Sequence, residues 1–297
     1  MDASVFSQPT RLWLSEGRYA ELDGRRIFVY ERGSGPAVLL LHGFPTSSYD
    51  WRGVISILSG EFRCAAFDFP GYGLSDKPVA YSYSLFQQTD VVEGIARALD
   101  IAEAHIVSHD VGQTIHAELL AREQEGRLAF RILSSTLLNG STLQDRATIT
   151  PFQRLLGSNE TLPQAIAICE NMSVNYVQSV KAIMKRPQAV SDEDAAVMEE
   201  LLFDQEGNRR LPALAGYMRE RYLHRERWLG AFKAAAPIQV VWADGDPIAN
   251  VEMGRALSAE LPQAPYTELP GLGHFLPIED PEAVAGPILE FIRATSA

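Results

Sequence analysis

The sequence predicts an α/β fold, a mainly parallel sheet flanked by helices, with a helical insertion after its middle strands. Three observations carry that expectation. A continuous apolar run stands at 37–41, and apolar-rich segments of strand length recur at 63–67, 130–138 and 238–242, as strands of a parallel sheet covered on both faces require. Helix-length segments separate them, which implies βαβ crossovers. Between Asn139 and about Gly230 the strand-like runs stop and helical segments take over. The chain therefore divides into 1–138, 139–230 and 231–297, a core in two pieces around an inserted helical cap.

Taken in order, Arg18 to Leu22 and Arg26 to Arg32 read as short strands joined by the hairpin signal Asp23-Gly24. Ala37 to Leu41 is a buried strand ending in His42-Gly43-Phe44-Pro45, and Tyr49 to Leu58 a helix. Arg63 to Phe67 is the next strand, closed by the Gly- and Pro-rich loop Asp68 to Ser75. Leu85, Val91, Val92, Ile95 and Leu99 fall near helical spacing. Ile106 to Thr114 reads as a strand driven into a sharp turn and released into a helix that runs to about Glu123. Phe130 to Leu138 supplies another strand. Inside the insertion, Ser191-Asp192-Glu193-Asp194 resembles a capping box. The βα rhythm resumes with Ile238 to Trp242, a helix from about Val251 to Leu261, a strand near Tyr266 to Leu269 and a last helix from Glu282 to Ile292.

Composition narrows the function classes. With 297 residues the chain can bury a sizeable core, and 26 Lys and Arg against 38 Asp and Glu give a formal charge of -12. That balance argues against a nucleic-acid or anionic-membrane surface. Cys64 and Cys169 sit in apolar settings and read as buried thiols rather than a disulfide. Met1 to Ala20 lacks the pattern of a secretory signal, and no run approaches the ~18 apolar residues of a membrane span, so a cytoplasmic location is the expectation. His105, His116 and His224 show no metal-ligand spacing. The glycines at 71 and 73 lack the context of a dinucleotide fingerprint, so neither metal nor cofactor is expected.

Chemistry-bearing residues fall where strand ends are expected. Asp110 sits at the sharp turn, with small Ser108 and Gly112 two residues to either side, as a nucleophile elbow requires. Asp246 follows the 238–242 strand, and His274 closes Pro270-Gly271-Leu272-Gly273-His274 after the last strand. Asp244 competes with Asp246 for the role of supporting acid.

On His42 to Pro45, Asp68-x-x-Gly71-x-Gly73-x-Ser75, the elbow, Asp246 and His274, all in order, the chain from about Gly17 to Thr295 resembles the α/β-hydrolase superfamily. Its Ser108-His109-Asp110 elbow is similar to the epoxide hydrolase and haloalkane dehalogenase branch. The resemblance implies an α/β-hydrolase fold in which Asp110 forms an alkyl-enzyme ester. It also implies that His274, oriented by Asp246, activates water against that ester, with the backbone N–H groups of Phe44 and Val111 as oxyanion donors. The family position after the strand favours Asp246 over Asp244. Elementary chemistry agrees. A carboxylate with an ordinary pKa of about 3.9 is already an anion. On an ester carbonyl it would give an anhydride; on a strained C–O or a C–halogen carbon it gives a hydrolysable ester.

The leaving group separates two enzyme readings, since an opening epoxide needs an acidic O–H and a departing halide needs N–H donors. The resemblance puts Trp and Asn at the positions of Val111 and Phe44 in dehalogenases, so both halide donors are missing. Fluoroacetate-type dehalogenases would carry arginines where Val111 and Thr114 stand. Epoxide hydrolases use cap tyrosines, and Tyr217 is the best match, with Tyr176 as a weaker second; Tyr176 and Tyr222 equally read as rings packed with their hydroxyls at the surface. Trp51 either lines the substrate pocket below the His-Gly loop or faces the core, while His42 braces its loop and His109 packs under the elbow. The expected function is hydrolysis of an epoxide to a diol, with a small-molecule substrate and water as co-substrate. Haloalkane dehalogenation, with Trp228 as an N–H donor, is the alternative, and a non-catalytic ligand-binding protein on the same fold is a third reading.

Overall fold

The computed structural model describes residues 3–172 and 176–296. Eight strands, β1 (Arg18–Leu22), β2 (Arg25–Arg32), β3 (Ala37–Leu41), β4 (Arg63–Phe67), β5 (Glu103–His109), β6 (Arg131–Leu138), β7 (Ile238–Ala243) and β8 (Tyr266–Leu269), form one sheet. Its order is β1-β2-β4-β3-β5-β6-β7-β8. The β1–β2 hairpin and the β2–β4 pair are antiparallel, and every pair from β4 to β8 is parallel. All five residues of β3 and all six of β7 are buried, because helices cover both faces of a parallel sheet. Polar side chains in this interior bond one another: Gln239 donates to Thr136 Oγ1 at 2.9 Å, and His116 bonds Ser108 and Ser135 at 2.9 Å each.

Between β6 and β7 the described residues form helices only, among them Pro151–Leu156, Leu162–Glu170, Tyr176–Lys181, Asp192–Phe203, Tyr217–Leu223 and Arg225–Ala234. Two of these start on reciprocal capping boxes, Thr150 with Gln153 and the expected Ser191 with Asp194. The last helix runs through Gly230 and returns the chain to the sheet. Buried Glu118, on the helix Val111–Gln124, accepts from Arg227 Nε at 2.7 Å and from the Trp228 indole at 3.0 Å, which clamps the returning helix to the core. Cys64 and Cys169 are buried and unpaired. No helix among the described residues is long and apolar enough to cross a membrane.

The parallel register aligns the C-terminal ends of β3, β5, β6, β7 and β8 on one edge, where ligands of open α/β sheets bind. Leu41 pairs with Ser108, so the His42–Pro45 loop lies against the turn at Asp110. That turn is strained. Asp110 has φ +47° and ψ −111°, a conformation that costs on the order of 1–3 kcal/mol for a residue with a side chain. Gly112 makes it possible: a Cβ there would stand 2.4 Å from the Leu41 carbonyl oxygen. Gly112→Ala should therefore lower stability by about 2–4 kcal/mol in urea unfolding. Gly230→Ala, where a Cβ meets nothing within 4 Å, should be neutral or stabilising by up to ~1 kcal/mol.

Candidate active site

The strained elbow lifts Asp110 above the sheet edge. The Phe44 N–H donates to Asp110 Oδ2 at 2.9 Å, a charge-assisted bond to a buried carboxylate. Gly43 allows this approach, since a Cβ there would fall 2.7 Å from Asp110 Cβ. Val111 begins the helix Val111–Gln124, so its N–H is among those without a preceding helical carbonyl. His42 braces the loop by donating from Nδ1 to the Gly43 carbonyl at 2.9 Å and accepting from the Phe69 N–H at 3.1 Å.

His274 arrives from the loop after β8. Its Nδ1 donates to Asp246 Oδ2 at 2.7 Å, leaving Nε2 for the cavity that His274 lines. Asp246 is itself fixed: Oδ1 accepts from the N–H groups of Ile248 at 2.7 Å and Ala249 at 3.0 Å, and Oδ2 from Asn139 Nδ2 at 2.8 Å. Asn139, at the end of β6, also accepts from the Ala243 N–H at 2.8 Å through Oδ1, so one amide ties β6, β7 and the acid together. Asp244 points elsewhere and accepts from the Gly271 N–H at 2.8 Å. Two further contacts hold His274. His109 donates from Nε2 to the His274 carbonyl at 2.8 Å, and the His274 N–H donates to the Ile183 carbonyl of the insertion at 3.0 Å. The Glu279 carboxylate joins the same seam, accepting from the N–H groups of Lys185, Arg186 and Gly273 at 2.8–3.0 Å.

The charges are coupled. Burial alone would depress His274, but the carboxylates of Asp246, Asp110 and Glu279 outweigh it and push the imidazole up to about 9. Burial works against ionised Asp246 as well, yet His274, the Ile248 N–H and Asn139 hold it below the usual carboxylate range. His109 is driven down to about 4 by burial and by His274, so it serves as a neutral donor.

A cavity of about 930 Å³ opens over Asp110 and His274. Its wall is largely apolar, with Phe44, Phe152, Met172, Val180, Leu211 and Phe275, and Asp110 and His274 are the only acidic or basic side chains among the described residues lining it. Tyr217 lies on this wall beside the Phe44 ring, centroid to centroid 5.5 Å. Its hydroxyl accepts from Gln153 Nε2 at 3.4 Å. Burial and Asp110 push the phenol up to about 12, with Arg221 and Gln153 pulling the other way. Tyr176 also lines the cavity, but its hydroxyl donates to the Pro45 carbonyl at 3.3 Å.

Trp51, expected at the pocket, is fully buried beneath it with its ring edge-on to His109 at 6.5 Å and is not among the lining residues. A core-facing position on the turn Ser48–Trp51 takes it there. Trp228, considered as a halide donor, spends its indole N–H on Glu118, and Tyr222 is exposed. Sequence reasoning missed Asn139 and Arg221. The Arg221 guanidinium, from the cap helix Tyr217–Leu223, donates to Thr114 Oγ1 at 2.8 Å and to the Asp110 carbonyl at 3.0 Å. The available signal was its spacing one helical turn after Tyr217.

His274 binds its proton more tightly folded than unfolded. Its contribution to stability is therefore complete below 6.5, its ordinary value, and is lost as pH rises through about 9. In Asp246→Asn the imidazole midpoint, followed by NMR, should fall from about 9 to its ordinary 6.5 or lower, and the accompanying decline of melting temperature between these two values should disappear.

Known proteins resemble this chain in sequence and in fold. The chain is 35% identical to LipZ of Mycobacterium tuberculosis over 96% of its own length and 99% of that protein. It is 31% identical to the mesoderm-specific transcript homolog protein of Bos taurus, over 95% of its length and 87% of that protein. Among solved structures, the haloalkane dehalogenase DbeA of Bradyrhizobium elkani superposes with a TM-score of 0.78 at 22% identity, over 94% of this chain and 98% of that one. The epoxide hydrolase CorEH superposes with a TM-score of 0.75 at 19% identity, over the same shares. The model of the alpha/beta hydrolase family matches residues 38–286, and the chain belongs to that family.

Proposed function

We infer that the protein is an epoxide hydrolase working through an ester on Asp110, with 139–230 as the cap over a core formed by 1–138 and 231–297. The observation that carries this reading is one apolar cavity bounded by Asp110, held through Oδ2 by the Phe44 N–H, by His274 on Asp246, and by the Tyr217 hydroxyl. Tyr217 accepts from Gln153, which leaves its own proton for the oxygen of an opening ring. A halide would want N–H donors instead, and the Trp228 indole is occupied by Glu118. The apolar wall favours an uncharged substrate, because a second charge buried there would lack a partner.

In the first half-reaction an Asp110 oxygen attacks the epoxide carbon, the C–O bond breaks, and the ring oxygen takes the Tyr217 proton. Attack neutralises Asp110, one of the charges that raises His274, so the imidazolium becomes more acidic and returns a proton to the Tyr217 phenolate. Neutral His274 then removes a proton from water as it attacks the ester carbonyl. The Phe44 and Val111 N–H groups hold the oxyanion. Diol release restores the Asp110 anion and the imidazolium, so protons and charge balance over the cycle.

Single turnover in heavy-oxygen water should put label into the Asp110 carboxylate; absence of label removes the ester route. His274→Gln exposed to an aryl epoxide should accumulate a mass equal to protein plus epoxide, whereas a mixture in which only a haloalkane leaves an adduct favours dehalogenation. Tyr217→Phe should slow alkylation by about 100-fold or more. Hydrolysis of the wild-type ester should accelerate with pH through a midpoint below about 9, the value of the free enzyme, because the esterified site has lost the Asp110 charge.

A further inference from the structure

The cap places a guanidinium behind the nucleophile that no step above uses. Arg221 stands one turn after Tyr217 on the helix Tyr217–Leu223, and its side chain is 3% exposed. Its Nε donates to Thr114 Oγ1 at 2.8 Å, and its Nη2 donates to the Asp110 carbonyl at 3.0 Å and reaches Asp110 Oδ1 at 3.4 Å. The guanidinium also lies 4.5 Å from the Tyr217 ring centroid, over its face. Arg221 is not among the residues lining the cavity, so its position suits the enzyme's own groups rather than the substrate.

We propose that Arg221 is a shared counterion for Asp110 and Tyr217, a positioning residue that docks the cap tyrosine on the elbow and compensates negative charge as it passes from carboxylate to phenolate. The proposal rests on the epoxide reading. During alkylation a bond forms between an Asp110 oxygen and the epoxide carbon, the C–O electron pair moves to the ring oxygen, and that oxygen takes the Tyr217 proton. Asp110 passes from anion to neutral ester while Tyr217 passes from neutral phenol to anion. Among the described residues Asp110 is the only carboxylate in ion-pair reach of Arg221. Alkylation therefore strips a buried cation of its partner, an arrangement that is strongly unfavourable, unless another anion forms beside it. The phenolate is that anion, on a ring the guanidinium already faces.

Geometry ties the two roles together. The fork bonds to Thr114 and the Asp110 carbonyl fix the guanidinium to the elbow, and the ring stacked on it is fixed in turn. A lysine would bring the charge without the fork. Among the described residues, other titratable groups around this cluster include Tyr72, from the loop after β4, His42 and His109, beside the elbow, and His274, across Asp110.

The test is single-turnover alkylation by an aryl epoxide in a His274→Gln background, followed by intact mass so that the ester accumulates. Arg221→Gln is expected to slow alkylation on the order of 100-fold with the half-saturating epoxide concentration unchanged. Arg221→Lys should recover on the order of tenfold of that loss. A matched alkyl bromide, whose leaving group takes no proton, should lose on the order of tenfold less than the epoxide. The proposal is overturned if Arg221→Gln alkylates at the parent rate, if the loss lies wholly in half-saturation, if Lys is no better than Gln, or if epoxide and bromide suffer equally, as a mere structural tether would give. Should Arg221→Gln fail to fold, Thr114→Val carries the test, because it keeps the charge and frees the fork: an intermediate slowing supports the proposal and the parent rate overturns it. Failure of the parent protein to form any epoxide adduct sinks the functional reading and this proposal together, whereas an adduct formed equally well by every Arg221 variant sinks this proposal alone.

Discussion

The parallel pairing of β3 with β5 is the constraint on which the site depends. Its register sets Leu41 beside Ser108, so the loop leaving one strand meets the turn leaving the other. The close approach of the Gly112 backbone to the Leu41 carbonyl and of Gly43 to the Asp110 side chain follows from that register, as does the Phe44 N–H on the Asp110 carboxylate. Strain at a single residue persists only where the surroundings over-determine it. Here two glycines, a parallel ladder and a charge-assisted hydrogen bond do so.

Electrostatically the site is a compact set of two carboxylates, one imidazole and one guanidinium, with ion pairs of 2.7 Å between His274 and Asp246 and 3.4 Å between Arg221 and Asp110. Each anion has its own cation. Burial alone would penalise all four charges; in combination they hold His274 up to about 9 and Asp246 below its usual range. Any chemistry that changes one member changes the proton affinity of the others. In the reaction proposed above, that coupling lets one imidazole act as acid and base in successive half-reactions.

The sequence made much of this legible. β3 was readable as an uninterrupted apolar run and β7 as an apolar run broken only by Gln239, β8 matched its expected bounds, and the Ser191 capping box formed as its residue types imply. Asp110, Asp246 and His274 were readable because each sits at a strand end, where local order alone predicts position. Trp51 was not, because a large aromatic serves a core or a pocket equally well and only packing separates the two. Arg221 lies 111 residues from Asp110 in sequence and meets it only across the fold, so sequence neighbourhood of the elbow carries no sign of it. Asn139 was equally hidden: its value comes from joining β6, β7 and Asp246 at once, a relation among three distant segments.

The seam between insertion and base has an evolutionary side. Through the Ile183 carbonyl and the Lys185 and Arg186 N–H groups, a segment that also supplies cavity wall is bonded to the loop bearing His274 and to Glu279. A lineage that inserts or deletes residues in this wall therefore also shifts the backbone that holds the His274 loop. Because the bonds at 183–186 run through backbone groups, changes of side chain along this wall leave the seam in place, whereas changes of chain length there would move it.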